Sequence, residues 1–256
     1  MGNDTGSLFD LTGRVAIVTG GSRGLGRAIS LGYAAAGAKV VIASRKQENC
    51  EALAREIEAA GGEALPVATH VGKVEELERL VDTTVATFGR LDILVNNAAN
   101  PLGGMLTEVT ELAFEKSYAV NVKGPLFLSA RAVDHLAASG HGVIVNVITA
   151  GAFNPGESLG LYCSGKAALW NLTKVMAKEW APRGVRVNAL APGPFATDMM
   201  AATYEVPEFR DAIVASTLLK RIADPEEIVG AALFLASDAS SYMTGSVLPI
   251  DGGIMA

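Results

Sequence analysis

Tyr162 and Lys166 are the side chains whose types and spacing first suggest chemistry. They lie four residues apart, so on a helix they occupy one face, a turn apart. A phenol with a reference pKa of about 10 is a poor acid or base near neutrality, and adjacent cations favour the phenolate. Lowering that pKa by about three units requires about 4 kcal/mol. The pair therefore suggests a tyrosine that gives and takes a proton, although the same spacing occurs on ordinary helix faces.

A glycine-rich turn near the start of the chain is the second such feature. The apolar run Val15 to Val18 predicts a strand, and a helical pattern follows from Leu25 to about Gly37. Glycines give the turn conformational freedom and let a pyrophosphate approach the backbone. Free N–H groups at the helix start then face an anion. The sequence predicts a nucleotide-binding turn made of Gly20, Ser22, Arg23, Gly24, Leu25 and Gly26.

The residues after the second predicted strand bear on which dinucleotide binds. In dinucleotide folds an acidic residue here binds the adenosine ribose 2′-hydroxyl, whereas an arginine suits a 2′-phosphate. Ser44, Arg45 and Lys46 stand at this turn without a carboxylate, and Arg23 is a second cation. Because arginine pairs strongly with phosphate, the sequence favours NADP(H) over NAD(H). The alternative is that Arg45 and Lys46 are solvated residues that precede a helix.

Strands and helices alternate along the whole chain. The short apolar strands predict a doubly wound α/β fold, in which helices cover both faces of a parallel sheet, as one domain of residues 1–256. Strands are predicted at 15–18, 39–43, 64–68, 91–96, 143–147, 185–190 and 247–250. Helices are predicted at about 25–37, 47–60, 74–88, 112–139, 161–180 and 225–235. Ligands of such sheets bind at the carboxyl ends of the strands.

Composition excludes several classes of partner. The chain has 21 Lys and Arg residues against 27 Asp and Glu residues, a net charge of −6. Nucleic acids and anionic membranes call for basic patches, so neither is expected as a partner. Neither a signal peptide nor a transmembrane segment is expected in the first twelve residues. Cys50 and Cys163 have no metal-ligand or disulfide spacing, so we expect no metal site and reduced thiols in the cytoplasm.

Several motifs together resemble the short-chain dehydrogenase/reductase family. The resemblance covers nearly the whole chain, from Leu11 to Gly253, and depends on the order and spacing of the motifs. It implies a seven-stranded Rossmann-like sheet in the order 3-2-1-4-5-6-7 and a nicotinamide cofactor. The motifs are Thr19–Gly26, Asn96–Ala98, Asn121–Gly124, Tyr162–Lys166, Pro192–Gly193 and Asp251–Gly253.

The resemblance also implies a catalytic set of Asn121, Thr149, Tyr162 and Lys166. Tyr162 would transfer the proton while the nicotinamide exchanges a hydride with a carbonyl or carbinol carbon. Lys166 would hold the nicotinamide ribose and lower the pKa of Tyr162. Thr149 would hydrogen-bond the substrate oxygen, and Asn121 would help to hold a water-linked proton path. Further implied cofactor contacts are Val71, Asn97, Pro192, Gly193, Phe195 and Thr197.

Three residues depart from the pattern of the family. Thr149 stands where the family usually has serine; its hydroxyl keeps the hydrogen bond, but its methyl group restricts χ1 and crowds the substrate. Ala99 replaces a glycine beside the cofactor. His70 stands where an aspartate or asparagine often faces the adenine. We therefore expect activity with an altered choice of substrate.

The segment 192–223 is predicted to form a lid over the substrate, because it is long, begins with Pro–Gly and follows a strand end. Up to about residue 215 its carboxylates oppose the single cation Arg210, which argues against a phosphate or CoA group on the substrate; the carboxylates are Asp198, Glu205, Glu208 and Asp211. Apolar residues favour a neutral ketone or alcohol, and the candidates for substrate contact are Phe153, Met199, Met200 and Tyr204.

Other functions remain open at this stage. By resemblance, the alternatives to a general carbonyl reductase are a 3-oxoacyl-thioester reductase and a sugar or polyol dehydrogenase. An alternative of another class is a catalytically silent NADP-binding sensor, which only Thr149 and Ala99 support. The family resemblance also implies a homotetramer or a homodimer.

Overall fold

A computed structural model describes residues 6–256 and is built around a parallel sheet of seven strands. The strand order is β3-β2-β1-β4-β5-β6-β7, which confirms the predicted fold class and order. The strands are β1 (Val15–Thr19), β2 (Lys39–Ser44), β3 (Glu63–Ala68), β4 (Ile93–Asn96), β5 (Val143–Val147), β6 (Arg186–Pro192) and β7 (Val247–Ile250).

Helices cover both faces of this sheet. They are α1 (Gly24–Ala35), α2 (Gln47–Ala59), α3 (Val74–Phe88), α4 (Glu111–Tyr118), α5 (Gly124–Ser139), α6 (Gly160–Trp180), α7 (Ala201–Tyr204), α8 (Pro207–Ser216) and α9 (Val229–Ala236). Ala16 and Val18 of β1 face a core shared with α1, α2 and α9, whereas Val15 and Ile17 face a core shared with α3, α5 and α6. Because alternate side chains point to opposite faces and both are buried, the strand is a continuous apolar run.

The long helix predicted for 112–139 is interrupted. A π-helical turn, Ala119–Lys123, separates α4 from α5. A π turn inserts one residue per turn into an otherwise helical pattern, so apolar periodicity does not locate it. Within the predicted lid, Pro192 ends β6, and two short helices, α7 and α8, follow.

Asp92 joins the start of β1 to β4 through a fully buried carboxylate. Its Oδ2 accepts hydrogen bonds from Val15 N at 2.9 Å and from Arg90 Nε at 2.8 Å. Arg90 Nη2 donates to Asp92 Oδ1 at 2.5 Å. A buried carboxylate is stable only when it is paired and hydrogen-bonded, and these donors meet that need.

A chain of buried polar side chains ties the middle of the sheet to two helices. Asn146 Nδ2 donates to Thr173 Oγ1 of α6 at 2.9 Å, and Asn146 Oδ1 accepts from Asn96 Nδ2 at 2.8 Å. Asn96 Nδ2 also donates to Ser129 Oγ of α5 at 3.0 Å. These bonds fix α5 and α6 against the strands whose carboxyl ends carry the site.

Candidate active site

The glycine-rich turn after β1 needs glycine at specific positions. Gly20 has φ +63° and Gly24 has φ +51°, which are left-handed conformations that side chains disfavour. A Cβ atom at Gly26 would lie 2.2 Å from Gly20 O, so any side chain there would force α1 away from β1. The turn therefore keeps the helix amino terminus close to the strand end, as the sequence predicts.

Asn97 holds this turn through its side chain. Asn97 Nδ2 donates to Thr19 O at 2.9 Å and to Gly20 O at 3.3 Å. The backbone N–H groups of Asn97 and Ala98 donate to Thr19 Oγ1 at 3.0 and 3.1 Å. The resemblance implied a cofactor contact for Asn97, and the structure gives it a supporting role in the shape of the turn.

Ser22 and Arg23 leave polar groups free beside the start of α1. Ser22 Oγ is buried and has no hydrogen-bond partner among residues 6–256. Arg23 is exposed, directly precedes α1 and forms no ion pair within that same range. An orphaned hydroxyl, a cation and a helix amino terminus together fit a pyrophosphate, because each offers a donor or a positive charge to an anion.

The cations after β2 are equally free. Arg45 and Lys46 are exposed, and neither pairs with a carboxylate in the described part of the chain. Ser44 O accepts a hydrogen bond from Thr69 N at 2.8 Å, which places the end of β3 beside this turn. In the same region His70 Nδ1 accepts from Gly72 N at 3.1 Å. The turn can therefore present two cations to a phosphate without first breaking an ion pair.

Lys166 is almost completely buried, with 1% of its surface exposed. Its Nζ donates to Val147 O of β5 at 2.7 Å and lies 5.9 Å from the centre of the Tyr162 ring. Burial lowers the pKa of Lys166 to about 7, because an apolar environment disfavours the charged form. The structure thus confirms that the two side chains share one helix face.

Tyr162 differs from the expectation of a lowered pKa. In the protein alone, burial raises the pKa of Tyr162, and the neighbouring Cys163 raises it further. Desolvation disfavours the phenolate, and Lys166, whose own pKa is lowered, does not offset that effect. The sequence reveals the spacing of the pair but not how far both groups are removed from water.

Thr149 lies at the end of β5 and starts a short helical turn, Ala150–Ala152. Its Oγ1 accepts a hydrogen bond from Gly151 N at 3.2 Å. A Cβ atom at Gly151 would lie 2.8 Å from Cys163 Sγ, so this turn packs against the first turn of α6. Thr149 and Tyr162 therefore come from neighbouring segments, and the hydroxyl proton of Thr149 remains available for donation.

Asn121 lies in the π turn and is completely buried. Its Nδ2 donates to Asn100 O at 2.9 Å and to Ser117 Oγ at 3.1 Å, while its Oδ1 accepts from Asn100 N at 3.1 Å. Asn121 packs against α6 next to Lys166, since a Cβ atom at Gly165 would lie in ordinary van der Waals contact, 3.4 Å from Asn121 Cβ. The amide thus joins the segment after β4 to the end of α4.

Two segments beside the turn also reach the candidate cofactor site. A Cβ atom at Gly24 would lie 3.4 Å from Thr197 Cγ2, so the start of the lid contacts the glycine-rich turn. Phe195 is 3% exposed and pairs with Ala223 in a single parallel bridge, which closes the base of the lid. The remaining implied contacts lie at strand ends or next to them: Val71 follows β3, and Pro192 and Gly193 lie at the end of β6 beside β7.

The candidate substrate residues are not gathered into one cluster. Phe153 packs against Trp170 of α6, with ring centres 6.2 Å apart. Met199 is 49% exposed, and Met200 precedes α7. Tyr204 donates from its hydroxyl to Phe195 O at 3.2 Å, which gives it a role in holding the lid.

The sequence patterns did not identify three exposed apolar residues near the site as candidates for substrate contact. Met105, Leu106 and Leu159 lie in the loops that follow β4 and β5 and are 55%, 71% and 40% exposed. The available signal was the presence of large apolar residues in loops otherwise rich in glycine and proline.

These features define a class of protein. The parallel sheet is doubly wound and has a glycine-rich first turn. A Tyr–Lys pair and a hydroxyl lie at the carboxyl ends of its middle strands. This combination is typical of nicotinamide-dependent oxidoreductases. Among residues 6–256, no helix is both long enough and apolar enough to cross a membrane. No group of three or more His, Cys, Asp or Glu residues in that range could hold a metal ion.

Comparison with known proteins identifies the family. The family model described as enoyl-(acyl carrier protein) reductase matches residues 20–255. Dehydrogenase/reductase SDR family member 4 of Oryctolagus cuniculus is 40% identical over 244 residues, which cover 95% of this chain and 94% of the relative. The chain belongs to the short-chain dehydrogenase/reductase family and is an oxidoreductase that acts on CH–OH donors with NAD(P).

Solved structures agree with this assignment. A gluconate 5-dehydrogenase from Burkholderia cenocepacia in complex with NADP and tartrate is 33% identical, with a TM-score of 0.94 and 98% of each chain covered. A 7α-hydroxysteroid dehydrogenase in complex with NADH and 7-oxo glycochenodeoxycholic acid is 32% identical. Its TM-score is 0.94, and the match covers 99% of this chain and 98% of that one. Similar folds therefore bind either nicotinamide dinucleotide.

Proposed function

We propose that this protein is an NADP(H)-dependent oxidoreductase that interconverts a neutral ketone or aldehyde and an alcohol. The observation that carries the proposal is the Tyr162–Lys166 pair, which lies beside the end of β5 with Lys166 Nζ 2.7 Å from Val147 O. This pair shares the carboxyl edge of the sheet with the glycine-rich turn and with Thr149. Proton transfer and nucleotide binding are thus brought to one place.

The side chains divide the proton chemistry between them. The bound cofactor would supply the hydride that is exchanged with the carbonyl carbon. Tyr162 donates its phenolic proton to the carbonyl oxygen during reduction and takes it back during oxidation. Thr149 Oγ–H donates a hydrogen bond to the same oxygen and so orients it. Lys166 favours the phenolate when it is charged, because it lies one turn after Tyr162 on α6, with its Nζ 5.9 Å from the centre of the Tyr162 ring.

The test of this chemistry is the variant Tyr162→Phe. We expect turnover to fall about 10²- to 10⁴-fold, the usual contribution of a general acid or base, with NADPH binding unchanged. Tyr118→Phe is the matched control, because Tyr118 is a partly buried phenol whose hydroxyl donates to Ser164 Oγ at 3.0 Å. A wild-type protein that binds NADPH but reduces no carbonyl compound would instead support a silent NADP-binding sensor.

The preference for NADP(H) is supported by the free cations Arg23, Arg45 and Lys46. We expect Arg45→Gln to weaken NADPH binding about 10- to 100-fold, because hydrogen bonds to a charged group are each worth about 1.5–3 kcal/mol. NADH binding should change less than threefold. Arg55→Gln, an exposed arginine on α2, is the control and should alter neither. Equal losses for both dinucleotides would place Arg45 away from the 2′-phosphate.

A neutral substrate is supported by the charges of the segment 192–223, which we propose to be a lid. Its carboxylates include Asp198, Glu205 and Glu208, and Arg210 is paired with Asp211 at 3.1 Å. Within residues 192–215 these carboxylates and Asp211 oppose the single cation Arg210, so an anionic substrate would meet an excess of negative charge there. This argues against the alternative of a 3-oxoacyl thioester carried on a phosphorylated group. A sugar or polyol remains the second candidate, and a turnover panel of ketones, thioesters and keto sugars distinguishes them.

We also propose that the protein works in the cytoplasm as a homotetramer or a homodimer. Exposed apolar side chains on the helices before and after β5 support self-association, since large apolar surfaces on helices often mark interfaces. They include Phe114 at 47%, Phe127 at 46% and Val175 at 42% exposure. Light scattering of the purified protein measures the number of copies directly.

A further inference from the structure

The two loops that flank the candidate site are fastened to each other. One follows β4 and the other follows β5, and Gly104 N donates to Ser158 O at 2.8 Å. Ser158 Oγ also lies 3.6 Å from Met105 Sδ. Ser158 has φ +62°, a left-handed conformation that a non-glycine residue adopts at a cost. The fixed contact between the loops gives the mouth of the site one defined side.

That side of the mouth is apolar, and we call Met105, Leu106 and Leu159 the apolar wall. Leu106 lies against the first residue of α6, because a Cβ atom at Gly160 would be 2.9 Å from Leu106 Cδ2. The three side chains are 40–71% exposed, although the two loops that carry them are joined by the hydrogen bond from Gly104 N to Ser158 O. Large apolar side chains that cluster at the surface beside a site indicate a binding surface.

The apolar wall begins within one helical turn of the proposed proton donor. Leu159 O accepts a hydrogen bond from Cys163 N at 2.9 Å, so Leu159 starts the turn of α6 that carries Tyr162. The loop after β4 is in turn held by Asn121, whose side chain bonds both backbone groups of Asn100. Both loops that carry the apolar wall are therefore joined to candidate site residues, the loop after β5 to the turn of Tyr162 and the loop after β4 to Asn121.

Charge limits what can occupy this surface. The stretches 97–107 and 148–160 contain no Lys, Arg or His residue, and Glu157 is their single charged residue. An anionic tail would find no cation there, and a strongly polar tail would lose hydration without gaining partners.

We infer that the substrate carries a bulky uncharged apolar group, which packs on the apolar wall while its carbonyl oxygen reaches Tyr162. Leu106 is the residue that determines this preference, because it is the most exposed member and is backed by Gly160. The inference depends on the proposed reductase function and adds to it the class of substrate.

The test uses unbranched methyl ketones of increasing length, from 2-butanone to 2-decanone, with the full-length enzyme and NADPH. We expect kcat/KM to rise up to about fourfold per added methylene until the wall is covered, which is the transfer free energy of a buried CH₂. Leu106→Ser should lower kcat/KM for 2-decanone at least about tenfold and leave 2-butanone within about twofold. Leu112→Ser, which alters a leucine of α4 with a similar exposure of 58% and lies outside both loops and the proposed lid, is the matched control.

The possible failures are distinguishable. Wild-type enzyme that reduces carbonyl compounds but shows no gain with chain length, or equal losses for Leu106→Ser and Leu112→Ser, refutes the apolar wall alone. Wild-type protein that binds NADPH and reduces no carbonyl in a broad panel refutes the proposed function and the wall together. Dissociation of an oligomer by Leu106→Ser, seen by light scattering, shows that the wall is covered by a second copy and overturns the inference.

Discussion

Replacement of Lys166 by methionine should change how the stability of this protein depends on pH. Methionine keeps the length and apolar stem of lysine but carries no titratable group. Burial lowers the pKa of Lys166 from 10.5 to about 7. Below about pH 7 the lysine is charged in both the folded and the unfolded chain, and folding bears the full cost of burying that charge, about 5 kcal/mol.

The sign of the effect follows from proton binding. Between about pH 7 and pH 10.5 the unfolded chain holds a proton on Lys166 that the folded protein has released. The free energy of unfolding therefore rises with pH in this window, by about 1.4 kcal/mol per pH unit. From about pH 6 to about pH 8.5 the wild type should gain about 2 kcal/mol from this residue, whereas Lys166→Met should gain nothing.

Urea unfolding without cofactor, at both pH values and one protein concentration, measures the effect. The difference between wild type and Lys166→Met removes the contributions of other groups, including Cys50 and Cys163, whose raised pKa values act in the opposite direction. Lys178→Met, which alters an exposed lysine of α6, is the control and should keep the wild-type slope. An equal pH dependence in wild type and Lys166→Met, within about 0.5 kcal/mol, would refute the burial argument.

Three further pairs of substitutions test the turn and the buried polar groups. Gly26→Ala should abolish NADPH binding in a fluorescence titration. The control Gly230→Ala, which has open space around the new methyl group, should stabilise the protein by about 0.5–1 kcal/mol. NADPH binding by both variants would contradict the turn geometry. Asp92→Asn should destabilise the protein by about 3 kcal/mol, because it breaks a buried ion pair. Asp82→Asn breaks an exposed ion pair and should cost less than about 1 kcal/mol. Similar urea midpoints for the two variants would contradict this. Thr173→Val should destabilise the protein by about 1–3 kcal/mol, because the buried Asn146 amide loses its acceptor. Thr173→Ser keeps the hydroxyl and should cost less. The reverse order of melting temperatures would refute the role of this hydrogen bond.

The sequence predicted the architecture because the signals it uses are local. Apolar runs of strand length alternate with helical periodicity, and that alternation alone requires a parallel sheet with two covered faces. The glycines after β1 were assigned correctly to a tight turn, since left-handed backbone at Gly20 and Gly24 and the close approach at Gly26 are needs that glycine alone meets. The spacing of Tyr162 and Lys166 on one helix face is equally local.

The π turn and the role of Asn121 could not be obtained in this way. Gly124–Pro125 signals an interruption of the helical pattern 112–139 but does not distinguish a π turn from other breaks, and the bonds of Asn121 to Asn100 are long-range. Local patterns also did not predict that the Asn97 amide holds the glycine-rich turn through bonds to Thr19 O and Gly20 O, and its cofactor contact stays a prediction. These bonds join residues that are distant in the chain.

The sequence by itself thus determined the order of elements, the nucleotide-binding turn and which side chains lie at the strand ends. Tertiary structure alone decided the protonation behaviour of the pair, because the 1% exposure of Lys166 and its bond to Val147 O depend on β5 and on the helices around it. It also decided that Met105, Leu106 and Leu159 form one apolar surface, since the contact between the two loops is a long-range one. Periodicity reports which face of an element is buried, whereas desolvation and cleft shape are properties of several elements packed together.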